Sequence, residues 1–157
     1  FNSYEFTTFN QISDMITRLS VKGSAINAIG DEDVRVSKRL YIPSKKLRGF
    51  ESGKIGPKDS GDFIGGNYMA VLNASTTLPE FGANLETIDF QLFLDAANVW
   101  GVDYDSSLDN SQLRSSIGLG IDWYTLVGPL NFSIAQPISK ADTDKTETVR
   151  FNIGTTF

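Results

Sequence analysis

The sequence predicts an all-β protein that forms part of the wall of an antiparallel transmembrane β-barrel. Apolar side chains recur at every second position over stretches of about ten residues, which is the period of a β-strand. The intervening positions hold small and polar side chains, as on the inner face of a barrel. Aromatic side chains, which form girdles at the membrane interfaces, lie near the ends of several stretches. They are Tyr68, Trp100, Trp123, Tyr124 and Phe157.

The first two predicted strands have the weaker patterns. Residues 3–10 are aromatic and rich in Thr, and their register is ambiguous. Residues 14–29 contain a clearer alternation of apolar and polar side chains. In that segment Leu19, Val21 and Ala25 alternate with Arg18, Ser20, Lys22 and Ser24.

Five further strands follow, and each places apolar side chains on one face. The apolar residues are Tyr68, Ala70, Leu72, Ala74 and Leu78; Ile88, Phe90, Leu92 and Leu94; Leu113, Ile117, Leu119, Ile121 and Trp123; Leu130, Phe132 and Ile134; and Val149, Phe151, Ile153 and Phe157. Because most connections between the strands are short, neighbouring strands are expected to be antiparallel.

A soluble β-sandwich also alternates apolar and polar side chains, so the period alone leaves two architectures open. The strands here are long and even in length, which favours the barrel. Small residues also interrupt the polar face, as suits a curved wall: Gly118, Gly120, Ala135 and Gly154.

The connections between the predicted strands differ in length. Those near residues 80–85, 125–128 and 138–147 are short or moderate, whereas 31–66 and 100–112 are longer and rich in Gly, Ser, Asp and Lys. Outer-membrane barrels have short periplasmic turns and longer external loops. The 31–66 segment exceeds the usual length of a structureless connection, so we expect it to dock on the domain or to have a function.

Composition excludes several classes of function. The chain has 157 residues, a net charge of -5, and neither His nor Cys. Without clustered Lys and Arg we expect no nucleic-acid partner, and without His or Cys most catalytic and metal-binding arrangements are missing. Asp103, Asp105 and Asp109 hint at a calcium loop, but that motif fails. Leu108 and Arg114 stand where it needs Gly and Glu, so we expect no enzyme, metal or cofactor.

A series of short motifs gives a more specific resemblance. In order, the motifs are Leu47-Arg48-Gly49-Phe50, Ile55-Gly56-Pro57, Gly65-Gly66-Asn67, Phe93-Leu94-Asp95-Ala96-Ala97-Asn98-Val99-Trp100 and Arg150-Phe151-Asn152-Ile153-Gly154-Thr155-Thr156-Phe157. The series resembles the C-terminal half of the barrel in the BamA family of the bacterial surface-antigen superfamily, most clearly over residues 38–157. The resemblance implies a barrel of about sixteen strands, preceded by periplasmic repeats. Residues 1–157 are then expected to be the C-terminal portion of that barrel domain, with about seven strands that form an open curved sheet if alone.

The resemblance also implies a contact inside the barrel. The family folds the loop that carries Arg48 into the lumen, opposite the motif that contains Asp95. We expect these two side chains to pair, with a stabilisation of only about 1 kcal/mol because lumenal water screens the charges. Family members often have a second, glutamate partner at the place of Ser75. Since Ser75 cannot serve, Asp122 is the candidate second partner.

The two residues after Arg48 have expected roles of their own. Gly49 is expected to allow a positive φ at the loop tip. Phe50 is expected to anchor the loop against the inner wall.

The last predicted strand resembles the β-signal that marks barrel proteins for assembly. Phe151, Ile153, Gly154 and Phe157 are the residues that carry it. The resemblance implies that this strand meets the first strand of the barrel at a weakly paired seam. An open strand edge can pair with an incoming strand, so the implied partners are unfolded barrel clients. Accessory lipoproteins, reached through the periplasmic repeats, and the lipid bilayer are further implied partners.

Three functions remain open at this point. The first is insertion of other β-barrels into the bacterial outer membrane. The second is export of one dedicated partner through a pore of the same superfamily, and the third is a passive barrel or a soluble β domain. The chain begins at Phe1 without a leader-like segment, so we expect that further sequence precedes it.

Overall fold

The computed structural model describes residues 1–12, 15–30, 32–79, 87–109 and 111–154. Its strands, in chain order, are β1 (Asn2–Ile12), β2 (Met15–Ala25), β3 (Lys58–Asp59), β4 (Asp62–Phe63), β5 (Tyr68–Thr77), β6 (Ile88–Trp100), β7 (Arg114–Thr125), β8 (Gly128–Ser139) and β9 (Val149–Ile153). Seven of them form one antiparallel sheet in the order β1-β2-β5-β6-β7-β8-β9, while β3 and β4 form a separate small hairpin. The predicted all-β, antiparallel, open sheet is confirmed.

The register of the sheet gives it two chemically different faces. Asn73 pairs with Asp95, and Asp95 pairs with Ser116, so these polar side chains share one face of three neighbouring strands. The opposite face is apolar and uncovered: Leu94 is 38% exposed and Ile117 is 40% exposed. Uncovered Leu and Ile side chains in the middle of strands are unfavourable in water and suited to lipid.

The connection between β2 and β5 folds back onto the inner face of the sheet. It spans residues 26–67, contains a short 3-10 turn at Val36–Lys38, and includes the hairpin of β3 and β4. The sequence predicts that this segment docks, and it does. Its apolar side chains meet apolar side chains of β5 and β6, and together they form the buried core of the chain: Ile42, Leu47, Phe50, Ile55, Met69, Val71, Ala97 and Val99.

The inner face is therefore less polar than the sequence predicts. Met69, Val71 and Val99 point inward and are almost fully buried. They do not face water because the folded-back loop covers them. The alternation of apolar and polar residues is lost in this part of the sheet, because the docked loop covers the inner face.

Aromatic side chains lie at both ends of the sheet, as predicted. Tyr68 and Trp100 are cross-strand neighbours at the end where the long loop leaves, and their rings stack with centroids 5.9 Å apart. Trp123 and Tyr124 lie at the opposite end of β7. Phe157 is outside the described residues. Among those that are described, no helix is long and apolar enough to cross a membrane.

The two edges of the sheet are β1 and β9. Strand β9 is short, with 5 residues, and pairs with β8 only from Leu130–Ile153 to Ile134–Val149. Gly154 continues this edge by donating its N–H to the Pro129 carbonyl at 3.0 Å. β9 thus has fewer pairing contacts to hold it than the longer strands of the sheet.

Candidate functional site

The centre of the site is a two-pronged contact between the loop and the wall. Arg48 Nε donates to Asp95 Oδ2 at 2.8 Å, and Arg48 Nη2 donates to Asp95 Oδ1, also at 2.8 Å. The Arg48 backbone N–H adds a third bond to Oδ2 at 3.1 Å. The planar guanidinium matches the two carboxylate oxygens, so the contact fixes the orientation of the loop tip as well as its position. The structure thus brings together the two residues that the resemblance pairs.

The pair is shielded from water, contrary to the expectation of a screened contact. The Asp95 side chain is 0% exposed and that of Arg48 is 17% exposed. The Phe93 ring lies against the guanidinium, with the Arg48 Cζ 3.4 Å from the ring centroid. A desolvated charge pair is worth little compared with an apolar contact, but removal of one partner leaves a buried, uncompensated charge. The contact is therefore a stronger constraint on the loop than predicted.

Two further polar side chains complete the contact, and the sequence did not single them out. Asn73 Nδ2 donates to Asp95 Oδ1 at 2.8 Å and to the Lys46 carbonyl at 2.7 Å. Ser116 Oγ donates to the Arg48 carbonyl at 2.5 Å. Both residues are direct cross-strand neighbours of Asp95, so the strand register could have identified them.

Asp122, the candidate second partner, makes no described hydrogen bond or ion pair with Arg48, and its role as a second partner stays a prediction. Its carboxylate accepts hydrogen bonds from Gln91 Nε2 at 3.0 Å and from Asn131 Nδ2 at 2.6 Å. It does face the lumen, and it lines the same pocket as Arg48 and Ser75. Asp122 lies farther along β7 than Ser116, toward the end away from the loop. Its donors are Asn131, its direct neighbour on β8, and Gln91, which is opposite Gly120 on β6.

Gly49 has the positive φ that the sequence predicts, with a value of 90°. Space is also restricted at this position. A Cβ atom there would lie 3.1 Å from the Ala135 Cβ and 3.2 Å from the Ser116 Cβ. Glycine therefore allows the turn and lets the backbone approach strands β7 and β8 closely.

Leu47 and Phe50 anchor the loop on either side of the arginine. Each is only 1% exposed, and both belong to the buried core between the loop and the sheet. Full burial of such side chains contributes about 1.5–3 kcal/mol each. The motif therefore combines apolar anchoring with one oriented charge contact.

The outer end of the loop is held by a second ion pair. Arg39 Nη2 bonds to Asp103 in the β6–β7 connection, and Arg39 Nε donates to the Val34 carbonyl at 3.1 Å. Burial opposes ionisation of Asp103, but bonds from the Val34 N–H and the Asn67 amide, with the nearby Arg39 charge, outweigh it. The pKa of Asp103 is consequently below its ordinary value. This carboxylate is therefore part of the docking of the long loop.

A third ion pair lies fully inside the protein and was not predicted. Arg114 Nε donates to Asp144 Oδ2 at 2.8 Å, and both side chains are 0% exposed. Asp144 also accepts from the Ala141 N–H at 2.7 Å and from the Gly56 N–H at 3.3 Å. One carboxylate thus joins the start of β7, the β8–β9 connection and the long loop.

The predicted signal residues of the last strand lie at the edge of the sheet. Phe151 and Ile153 point to the uncovered face and are 49% and 71% exposed. Gly154 follows the strand with a φ of 121°. Phe157 is outside the described residues, so its place in the strand stays a prediction.

A wide antiparallel sheet with an apolar outer face and an arginine-bearing loop docked inside defines part of a membrane β-barrel wall. Comparison with known families assigns this wall more narrowly. The Omp85 superfamily domain matches residues 1–157, and the chain belongs to that superfamily.

Individual relatives agree with this assignment. The chain is 33% identical over 139 residues to the outer membrane protein assembly factor BamA of Neisseria meningitidis, an alignment that covers 71% of this chain and 17% of that protein. It is 31% identical over 157 residues to BamA of Nitratidesulfovibrio vulgaris, covering 94% and 19%. The crystal structure of BamA from Haemophilus ducreyi lacking POTRA domains 1-3 superposes with a TM-score of 0.85 at 25% identity, covering 95% of this chain and 33% of that one.

The resemblance read from the motifs is therefore confirmed. The chain spans about a fifth or less of the length of the curated relatives it matches, at 17% and 19%. Those relatives are named outer membrane protein assembly factors.

Proposed function

We propose that the protein to which this chain belongs assembles β-barrel proteins in the bacterial outer membrane. The chain is an outer-membrane β-barrel segment, like the corresponding part of its BamA relatives. Within the proposed machine it supplies the C-terminal portion of the barrel wall, the internal loop and the strand at the seam. The observation that carries the proposal is the loop docked through Arg48 and Asp95 in a member of this superfamily.

The docked loop supports a structural role in the assembly process. Its buried core fixes one side of the wall from within, and Arg48 sets its register against β6 and β7. A wall that is braced internally over its middle strands leaves β9, its last strand, as the part that can open. No covalent chemistry or bound nucleotide is required in this proposal.

The edge strand β9 is the proposed site of contact with clients. In lipid an unpaired strand edge is costly, because its N–H and C=O groups find no water. An incoming strand can satisfy these groups by adding to the edge. The shortness of β9 supports this role, since few ladder bonds must be broken to expose the edge of β8. Phe151, Ile153, Gly154 and Phe157 are the proposed signal residues of this part of the sequence.

The proposed partners follow from this mechanism. They are unfolded barrel proteins at the β9 edge and the lipid bilayer on the apolar outer face. Accessory lipoproteins are a further proposed class, bound through periplasmic repeats that belong to other parts of the full-length protein.

Depletion of the full-length protein tests the proposal. Cells that lose it should show falling levels of several outer-membrane barrel proteins, while inner-membrane and periplasmic proteins stay constant. Unchanged barrel levels would remove the assembly role, and loss of a single exported partner would favour the secretion pore.

Complementation of the depleted cells then connects the result to the site. Arg48→Ala should fail to restore barrel levels, whereas Arg35→Ala, an exposed arginine earlier in the same connection, should restore them.

A further inference from the structure

The tip of the internal loop forms a short β-like pairing with the segment that leads into β9. Phe50 and Thr146 are opposite one another in an antiparallel bridge. The Glu147 N–H donates to the Gly49 carbonyl at 3.1 Å, and the Glu51 N–H donates to the Lys145 carbonyl at 2.9 Å. The three residues directly after Arg48 are thus bonded to residues 145–147, just before the last strand begins.

Arg150, on the inner face of β9, continues this connection by its side chain. Its Nη2 donates to the Phe50 carbonyl at 2.6 Å, and its Nη1 donates to the Ser44 carbonyl. Its Nε donates to Glu147 Oε2 at 2.9 Å, so a carboxylate from its own segment balances the charge. Arg150 is only 9% exposed, although it belongs to an edge strand. Its guanidinium therefore bonds to the loop backbone on both sides of Arg48 as well as to Glu147.

The contacts of Arg150 matter because the backbone ladder between β9 and β8 is short. Among the described residues the strand has 5 residues, and one further backbone bond extends its ladder with β8 at each end, from the Ala135 N–H to the Thr148 carbonyl and from the Gly154 N–H to the Pro129 carbonyl. Arg150 contacts the loop through its side chain, and residues 145–147 contact the loop through their backbone before the strand begins. Neither set of contacts belongs to the ladder with β8. A change in the position of the loop must consequently break the contacts of β9, and a displacement of β9 must break those of the loop.

We propose that Arg150 is a positioning residue that couples the docking of the internal loop to the placement of the last strand. In this arrangement the Arg48–Asp95 contact and the pairing of β9 stabilise one another through the Phe50 and Ser44 carbonyls. Such a coupling is reciprocal, because each event changes the free energy of the other by the same amount. Its consequence for client entry rests on the proposed function, whereas the coupling itself does not.

Amide hydrogen exchange on the full-length protein in lipid nanodiscs tests the coupling. Arg150→Ala should speed exchange at least about tenfold in two places, namely in peptides over β9 and in peptides over residues 44–51. Arg48→Ala, which lies on a different element, should likewise speed exchange in β9. The matched control is Asn152→Ala, on the same face of the same strand, where no described side-chain bond reaches the loop. It should leave loop exchange within about twofold of the parent.

A milder variant keeps the test informative if Arg150→Ala does not fold. Glu147→Gln removes the carboxylate that orients Arg150 but leaves its bonds to the loop carbonyls, so it should give a smaller change in the same two regions. The double variant Arg48→Ala with Arg150→Ala should be less than additive, since each change alone already weakens the contact between the loop and β9. Faster exchange confined to the mutated element in each single variant, or full additivity, would overturn the proposal.

The outcome of the exchange experiment is independent of the outcome that tests the proposed function. Exchange is measured on the folded protein and needs no client, so uncoupled exchange would end the present inference and leave the assembly role standing. Unchanged barrel levels on depletion would end the assembly role and leave a coupled loop and strand.

Discussion

At the scale of single residues, the site depends on charges placed where water cannot reach them. Asp95 is fully enclosed, and its partners are the Arg48 fork and the Asn73 amide. An enclosed carboxylate is costly unless every oxygen has a donor. The site therefore tolerates loss of either partner poorly, even though the intact pair adds little net stability over an apolar contact.

The first prediction concerns Arg48. Arg48→Ala leaves Asp95 buried with one remaining side-chain donor, which should cost roughly 3 kcal/mol of loop docking. Since 1.4 kcal/mol is a factor of ten, exchange of amides in residues 44–54 should rise roughly a hundredfold. Arg48→Lys keeps the charge but loses the second prong, so its effect should be intermediate. Equal exchange in the alanine variant and in the exposed-site control Arg35→Ala would contradict the account.

The second prediction separates two demands on Gly49. Gly49→Ala adds the strain of a positive φ, about 1–2 kcal/mol, to close contacts with Ala135 and Ser116. Gly53→Ala introduces the same kind of strain, at φ 67°, but its Cβ would meet nothing within 4 Å. Exchange of the loop amides should therefore increase more in Gly49→Ala than in Gly53→Ala. Indistinguishable variants would show that close approach to β7 and β8 does not matter.

The third prediction is a dependence on pH at the outer end of the loop. The pKa of Asp103 is lowered from 3.8, so its stabilising contribution is present above that value and is lost as the pH falls through the lower pKa of the folded state. A spin label introduced by Lys38→Cys should stay immobile at pH 5 and above and become mobile only below about pH 3.8. Asp103→Asn should remove this transition. A transition that persists in Asp103→Asn would assign the effect to another group.

At the scale of elements, the long connection works as an internal brace. It meets the sheet through an apolar core, and ion pairs hold it at its tip and outer end. The fully buried Arg114–Asp144 pair adds the β8–β9 connection to the same unit. The loop, two connections and the start of β7 are consequently one packed body on the inner wall.

The fourth prediction tests this body through the buried pair. Asp144→Ala leaves the buried Arg114 charge without its carboxylate partner, and it removes the acceptor of the Gly56 and Ala141 N–H groups. The change should lower the free energy of unfolding by about 3–5 kcal/mol. The double change Arg114→Met with Asp144→Leu should cost clearly less, because no uncompensated charge remains. The midpoint of heat-induced unfolding in detergent measures both. Asp142→Ala, at an exposed position in the same connection, is the control. If Asp144→Ala were as stable as this control, the buried pair would not brace the wall.

Much of this element-level picture could be predicted from the sequence, and the failures have physical causes. Alternation identified the strands because one face is uncovered along their whole length. It failed at Met69 and Val71, where the loop covers the inner face. The Arg114–Asp144 pair escaped notice because its partners lie 30 residues apart and meet only through the fold of a connection. The Arg48–Asp95 pair was found through a motif, since nothing in the period predicts which loop charge meets which wall charge.

At the scale of the whole molecule, the sheet separates two solvents. Its outer face presents uncovered Leu, Ile and Phe side chains, and its inner face presents polar groups, charges and the docked loop. The aromatic pair Tyr68–Trp100 at one end and Trp123 at the other bound the apolar band, as interfacial residues do. The superfamily match agrees with this geometry, because both indicate a wall that stands in a bilayer.

The most direct test of this arrangement is a scan of spin labels along β8 in the full-length protein, reconstituted in lipid. Phe132, Ser133 and Ile134 are changed one at a time to cysteine and spin-labelled, and collisions are measured with oxygen, which enriches in lipid, and with a water-soluble nickel complex. The account predicts strict alternation, with Phe132 and Ile134 labels favouring oxygen and the Ser133 label favouring the nickel complex. Equal access at successive positions, or the opposite phase, would contradict a wall with lipid outside and a wet lumen inside.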